Sequence, residues 1–404
     1  MSSSTSSSER AGDPRIFRKT LLVILLGMAA ALGILRLIAE LNNASKEGIL
    51  ERVTEAQEAL PAIIALEDEL AMFFGSSMVH AGYSPRLFDQ WLAEKGITLK
   101  SFNFGFGGLN PYFQDYLSRR IRDEFVANDR RLALAMIEFN PFQTTKTRWN
   151  GALPAVDSFL TMLATDAELL EIAKEDLTRG VRLFTIRYFR NDISAEIITA
   201  QFAQSLQAPP QRSDIPVDEE AAARRDEILE ALEGKLAEDY PDYNGEEWYW
   251  PWQGGPTIPS DRSEETVALI QELMHTGLTD RRMDNDRLNR IRTADIIELQ
   301  FEEILVESFI RIVENFKEFS DHVEVILLPR NTDWIDYSPE GWKRLEKIIA
   351  RIERETGIKM LNLQDTPEVT PDMFSDTTHL GRYTGDIAFT RLLADEMARS
   401  LNDR

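Results

Sequence analysis

The sequence predicts an α/β fold: a parallel sheet that carries a large, mostly helical insertion and is preceded by a transmembrane helix. Three observations lead there. Short apolar runs end at Gly75-Ser76-Ser77, at the glycine-rich turn after residue 104, and at Asn140-Pro141; each has the length of a buried strand and stops at a turn-forming string. Segments of helical period follow these turns, which is the alternation a parallel sheet requires. From residue 142 to about 321 that alternation lapses and helical patterns take over, before strand-like runs resume at residue 323.

The chain has 404 residues, enough to bury a large core, with ordinary apolar (43%) and aromatic (9%) fractions. A formal charge of −23 argues against nucleic acid as a partner, because phosphate backbones are held by clustered Lys and Arg. With no cysteine, disulfides, thiolate metal sites and a cysteine nucleophile are excluded. No cluster has metal-ligand spacing, and no cofactor is expected.

Residues 1–14 are serine-rich and read as a disordered cytoplasmic tail. Arg15, Arg18 and Lys19 precede an uncharged run at residues 20–35. With Arg36 snorkelling, the segment within 15–40 reaches about 20 residues, the length of a membrane span. The basic flank keeps the amino end in the cytoplasm and puts the body outside, periplasmic or extracellular. A cleaved signal peptide ending near Ala29-Ala30-Ala31 is the competing reading. Residues 41–65 have helical spacing (Ile49, Leu50, Val53, Ala56) and read as a linker helix, with the main domain at 66–404.

Within that domain the first strand ends at Gly75-Ser76-Ser77. A serine there either caps the following helix or stands at the carboxyl edge of the sheet, where open α/β folds keep their sites. A helix is expected over 85–95, a second strand over 98–104, a helix from Pro111 to about residue 125, and a third strand over 132–139. The glycines at 105, 107 and 108 do not spell a dinucleotide fingerprint.

The insertion, about 142–321, offers one marginal strand at 181–186, an acidic solvated helix over 218–239, and a long amphipathic helix or helix pair over 288–319. Its loop Trp248-Tyr249-Trp250-Pro251-Trp252 either stacks on sugar rings or a membrane interface, or is pinned by burial of the same tryptophans. A strand at 323–328 then ends in a turn bearing Asn331 and Asp333, which are candidate substrate-binding residues or plain turn chemistry. A helix over 339–356 capped by Gly357, a short strand at 359–363 and a final helix over 387–401 complete the domain.

Of the four histidines, only His379 has an aspartate three residues before it, Asp376, and a helix start just after. A serine nucleophile needs a base, and the base needs an acceptor to fix its tautomer; one turn supplies both. Taken with Ser77, these residues resemble the SGNH/GDSL hydrolase superfamily in four ordered blocks. Gly75-Ser76-Ser77 looks like the first, with Ser77 at the nucleophile position. Asn103-Phe104-Gly105-Phe106-Gly107-Gly108 looks like the second, with Gly108 as the oxyanion-hole glycine. Glu138-Phe139-Asn140 looks like the third, with Asn140 as an oxyanion donor, and Asp376-Thr377-Thr378-His379 looks like the last. Two positions depart from the pattern: Ser76 replaces the usual aspartate of the first block, and Glu138 replaces the glycine of the third.

The likeness narrows to the membrane-anchored branch that contains the D-alanyl transfer protein of lipoteichoic acid synthesis and, more loosely, the alginate O-acetylation proteins. It implies a three-layer, flavodoxin-like sheet and a Ser77–His379–Asp376 triad, with an oxyanion hole from the N–H groups of Ser77 and Gly108 and the Asn140 side chain. It further implies acyl transfer on an envelope or secreted polysaccharide, beside a multi-pass membrane-bound O-acyltransferase. A non-catalytic scaffold that binds glycan or such a partner is the alternative.

Overall fold

The computed structural model describes residues 14–41, 51–189, 219–239, 263–276, 280–381 and 384–402. Five parallel strands, β1 (Leu70–Ser76), β2 (Lys100–Phe106), β3 (Leu134–Glu138), β4 (Val323–Leu327) and β5 (Met360–Asn362), form one sheet in the order β2-β1-β3-β4-β5. This is the order of a doubly wound sheet, whose direction of winding reverses between β1 and β3. Every residue of β1 is buried, whichever face its side chain takes, so helices cover both faces.

Two groups of helices do this. On one side, α3 (Ser77–Gly82) and α4 (Pro85–Ala93) pack with the last helix, α15 (Gly385–Asn402). On the other, α5 (Pro111–Ala127) packs along α13 (Glu303–Phe319), which in turn meets α14 (Pro339–Thr356). The core between them is aromatic: Phe73, Phe74, Phe102, Phe104, Phe106, Phe113 and Phe125 are fully buried. Each such ring stabilises the fold by about 1.5–3 kcal/mol relative to exposure.

Two glycines meet across the β1–β2 register, Gly75 opposite Gly105. A Cβ at 75 would lie 2.5 Å from a carboxylate oxygen of Glu138, and one at 105 would lie 2.3 Å from the backbone nitrogen of His80. Both are required by close approach at the carboxyl edge of the sheet.

The insertion contributes α6 (Lys146–Ala152), α7 (Val156–Leu163), α8 (Asp166–Glu175), α9 (Leu177–Phe189), α10 (Glu219–Asp239), α11 (Glu264–Thr276) and α12 (Asp280–Ala294) before α13. The strand expected at 181–186 lies inside α9. Leu183 is placed in the core and Val181 is left exposed, as one helical face requires. Of the long helix or helix pair expected over 288–319, the structure has the pair: α12 ends at Ala294, and Asp295 and Leu299 take positive φ in the connection.

The segment expected as a linker forms α2 (Glu51–Ile64). It is packed into the domain: Val53, Leu60, Ile63 and Ile64 are buried, and Arg52 donates to the carbonyls of Asn103 (2.6 Å) and Gly105 (2.8 Å). Residues 42–50 lie outside the described residues. Helix α1 (Pro14–Leu41) occupies the segment expected to cross a membrane, with Leu21, Leu22, Val23, Ile24, Leu25 and Leu26 all exposed. Among the described residues, however, no helix is long and apolar enough to do so.

One half-buried acid links the β2 edge to pH. Asp89 of α4 accepts from the backbone N–H of Ser101 with both carboxylate oxygens (3.0 and 3.1 Å). Burial pushes its carboxyl up to about 7 against the lowering effect of the Ser101 bonds and Lys100. The stabilising protonated form is therefore fully favoured below the unfolded value of 3.8 and is lost as pH rises through about 7. Asp89→Asn should flatten the stability profile across that window. At pH 8 it should raise the midpoint of thermal unfolding by a few degrees, on the order of 1–3 kcal/mol. Parallel unfolding curves for the two proteins from pH 4 to 8 would contradict this.

Candidate active site

The carboxyl ends of β1, β2 and β3 converge where the sheet reverses direction, and the expected residues stand there. Ser76 and Ser77 divide the two roles anticipated for one serine. Ser76 is the N-cap of α3, its hydroxyl accepting from the N–H of Met78 (3.2 Å). Ser77 is the first residue of the helix and is only partly buried. Asn103 fixes the other end of α3: its side-chain amide donates to the carbonyls of Val79 (3.0 Å) and Tyr83 (2.9 Å).

Asp376 and His379 occupy a tight loop closed by a bridge between Phe374 and Leu380, with the N–H of Ser375 bonded to the carbonyl of His379 (2.8 Å). Leu380 packs on Gly82, where a Cβ would come within 2.9 Å of it, so the loop is seated against the end of α3. In consequence His379 Nε2 lies 2.7 Å from Ser77 Oγ, and His379 Nδ1 lies 2.6 Å from Asp376 Oδ2. Residues 302 positions apart thus form one hydrogen-bonded chain.

Its proton order follows from electrostatics. Burial raises the Asp376 carboxyl, but the hydrogen bond and charge of His379, the charge of Arg290 and the N–H of Thr378 outweigh it and hold the carboxyl well below the usual carboxylate range. Asp376 is therefore an acceptor at any working pH. Nδ1 of His379 carries the hydrogen, and the lone pair of Nε2 faces the Ser77 hydroxyl. Asp376 Oδ1 is held by the N–H groups of Thr378 and His379, each at 2.7 Å.

Gly108 has a positive φ of 77°, and its carbonyl accepts from Arg148 Nη2 (3.0 Å). Gly107 lies against Ser77, 3.8 Å from the serine Cβ to a Cβ built on the glycine. Asn140 is buried after β3, and its side-chain oxygen accepts from the N–H of Phe142 (3.0 Å). Its amide nitrogen donates to Ser76 Oγ (3.0 Å) and Glu138 Oε1 (3.0 Å). As an oxyanion donor, then, Asn140 would have to give up one of these partners when substrate binds.

Glu138, fully buried, is the centre of this cluster. Its Oε2 accepts from the N–H of Ser76 (2.5 Å), and its Oε1 accepts from the Ser76 hydroxyl (3.0 Å) and from Asn140. Burial raises its carboxyl despite these donors and the charge of His379. The two departures from the SGNH-like pattern, Ser76 and Glu138, are thus hydrogen-bonded to each other.

Asn331 is not presented to the cleft: it is completely buried in the turn after β4, and neither polar atom of its side chain has a protein partner. The turn folds inward because its backbone carbonyl accepts from Trp334 and Ile335. Asp333 is exposed on the same turn. Trp248, Trp250 and Trp252 lie outside the described residues. His322 is buried and bonded through Nε2 to Glu324 (2.7 Å).

Sequence reading did not single out Arg290 and Asp286 of α12 or Arg148 of α6. Arg290 Nη2 donates to Asp376 Oδ2 (3.3 Å), and Asp286 Oδ2 accepts from the N–H of Thr377 (3.0 Å). Among the described residues no group of acidic and histidine side chains is arranged to hold a metal. No family model matches the chain, and no curated protein matches it.

Proposed function

We propose that this chain is a serine acyl-transfer enzyme of SGNH type, an esterase or O-acyltransferase. The observation that carries the reading is the Ser77–His379–Asp376 chain, with contacts of 2.7 and 2.6 Å at the carboxyl edge of the sheet. His379 Nε2 takes the Ser77 proton as Oγ attacks an acyl carbonyl. The resulting oxyanion is met by the backbone N–H groups of Ser77 and Gly108, with Asn140 as the third donor. Collapse breaks the bond to the leaving oxygen, which receives the proton from His379 and leaves an acyl ester on Ser77. Water or a glycan hydroxyl then attacks that ester and gives its proton to His379; the bond from Ser77 Oγ to the acyl carbon breaks, Oγ takes the proton back from His379, and the acyl group leaves on the acceptor.

The substrate we infer is an O-acylated cell-envelope or secreted polysaccharide, with a multi-pass membrane-bound O-acyltransferase as partner. The four blocks at residues 75–77, 103–108, 138–140 and 376–379 support this through their resemblance to the anchored SGNH branch. The exposed apolar side chains of α1, behind a basic flank, support an anchored protein with its catalytic domain outside the cytoplasm. One observation favours a non-catalytic scaffold instead: the Asn140 amide is already committed to Ser76 and Glu138.

A fluorophosphonate probe with intact-mass detection separates these readings on the full chain. A single adduct, absent from Ser77→Ala and His379→Ala, is expected of the enzyme. An unlabelled, folded wild type would favour the scaffold.

A further inference from the structure

The insertion reaches the triad at two points. Helices α6 and α12 pack on each other, and each sends an arginine to the catalytic edge. Arg148 holds the carbonyl of Gly108 (3.0 Å), with its Nε on Gln143 Oε1 (2.7 Å). Arg290 lies over Asp376, and Asp286, one turn earlier, binds the N–H of Thr377 (3.0 Å) while forming a 3.5 Å ion pair with Arg290 Nε. Burial and the charge of Arg290 together lower the Arg148 guanidinium from its ordinary value, so the two cations stand near enough to repel. Placing like charges beside each other is unfavourable unless each has an acceptor that fixes it.

We propose that α12 is a working part of the reaction centre: Arg290 is a positioning residue that holds the Asp376 carboxylate against His379, and Asp286 clamps the Asp376–His379 loop through Thr377. This rests on the acyl-transfer reading above. Asp376 Oδ1 is already fixed by two backbone N–H groups. Oδ2, the oxygen that serves the imidazole, has two partners, His379 Nδ1 and Arg290 Nη2. Because Nδ1 of His379 is itself a donor, the 3.4 Å approach of Arg290 to it is no hydrogen bond, and the guanidinium serves the carboxylate alone. Without Arg290, Oδ2 keeps the imidazole as its one partner while Oδ1 keeps its two backbone N–H groups, and α12 holds the loop through Asp286 alone. Small displacements of this kind act on the chemical step and leave substrate binding alone.

The test is inactivation of the full chain by a fluorophosphonate, resolving the maximal rate from the half-saturating concentration, together with thermal unfolding. Arg290→Met should lower the maximal rate by about tenfold and leave half-saturation within about twofold. Arg290→Lys, which keeps a cation in reach of Oδ2, should recover most of the rate. Asp286→Asn, the milder change should the methionine variant not fold, should cost about threefold by weakening the Thr377 clamp.

A wild-type rate in Arg290→Met would overturn the proposal, as would equal loss in Arg290→Met and Arg290→Lys. If Arg290→Met does not fold, an unchanged rate in Asp286→Asn does the same. A wild type that takes no label at Ser77 removes the acyl-transfer reading and this proposal with it. A labelled wild type with an indifferent Arg290 removes this proposal alone.

Discussion

Asp376→Asn is expected to lower ester hydrolysis by about 10⁴-fold with the fold intact. Oδ1 accepts from the N–H groups of Thr378 and His379, so an asparagine keeps its carbonyl oxygen there and turns its NH₂ toward His379. That NH₂ is a donor facing the Nδ1 hydrogen. The imidazole relieves the conflict by moving its proton to Nε2, the nitrogen 2.7 Å from Ser77 Oγ. A protonated Nε2 cannot take the serine proton, and the chain of transfer is broken with little change in shape.

Steady-state hydrolysis of an activated acetate ester, compared with Ser77→Ala as the floor, measures this. Asp376→Asn within tenfold of wild type would mean that His379 is not the base. The carboxylate also has a pH signature. With its carboxyl held below the usual range, the stability that Asp376 contributes is complete above the unfolded value near 4 and is lost as pH falls through its lowered value. Asp376→Asn should therefore reduce unfolding stability at pH 7 and converge with wild type in strong acid.

The sheet was readable because each strand is an apolar run closed by a turn residue with its own job. Gly75 and Gly105 admit a carboxylate and a helix backbone at distances no Cβ tolerates, and Asn140 bonds the turn after β3. The triad was readable for a related reason: Asp-x-x-His in one loop is a local pattern, and Ser77 follows a recognisable strand end. What the sequence hid is long-range. Asp286 and Arg290, four apart in a highly charged helix, have the spacing of an ordinary surface pair, and only packing turns them onto a loop 86 residues away. Asn331 could be read either as a presented side chain or as turn chemistry, and only the fold shows that the turn carries it inward. The marginal strand at 181–186 failed because a short apolar-rich run also fits a stretch of packed helix, and Leu183 was the residue that settled the face.

The second large effect concerns Ser76 and Glu138, and here the structure joins two departures that looked independent. In the SGNH-like pattern the residue before the nucleophile is an aspartate and the third block opens with glycine. Here the carboxylate comes from Glu138, reaching back to the backbone and hydroxyl of Ser76 and across to Asn140. In this chain the acid stands at the end of β3, beneath the turn that joins β1 to α3. Glu138→Gly should leave three donors without their acceptor in a fully buried site, at about 1–3 kcal/mol each. Ser76→Asp alone should be as harmful, because it buries a second carboxylate against the first.

Together the two changes should partly offset each other, with the introduced aspartate side chain taking the place of both the Ser76 hydroxyl and the Glu138 carboxylate. A double-mutant cycle on unfolding free energy is expected to give a favourable coupling of about 2–3 kcal/mol, with probe labelling of Ser77 recovering in the double variant. Simple additivity of the two losses would show that Glu138 serves packing alone. Recovery of both stability and labelling would show that one carboxylate, supplied from either strand, is what the nucleophile turn requires.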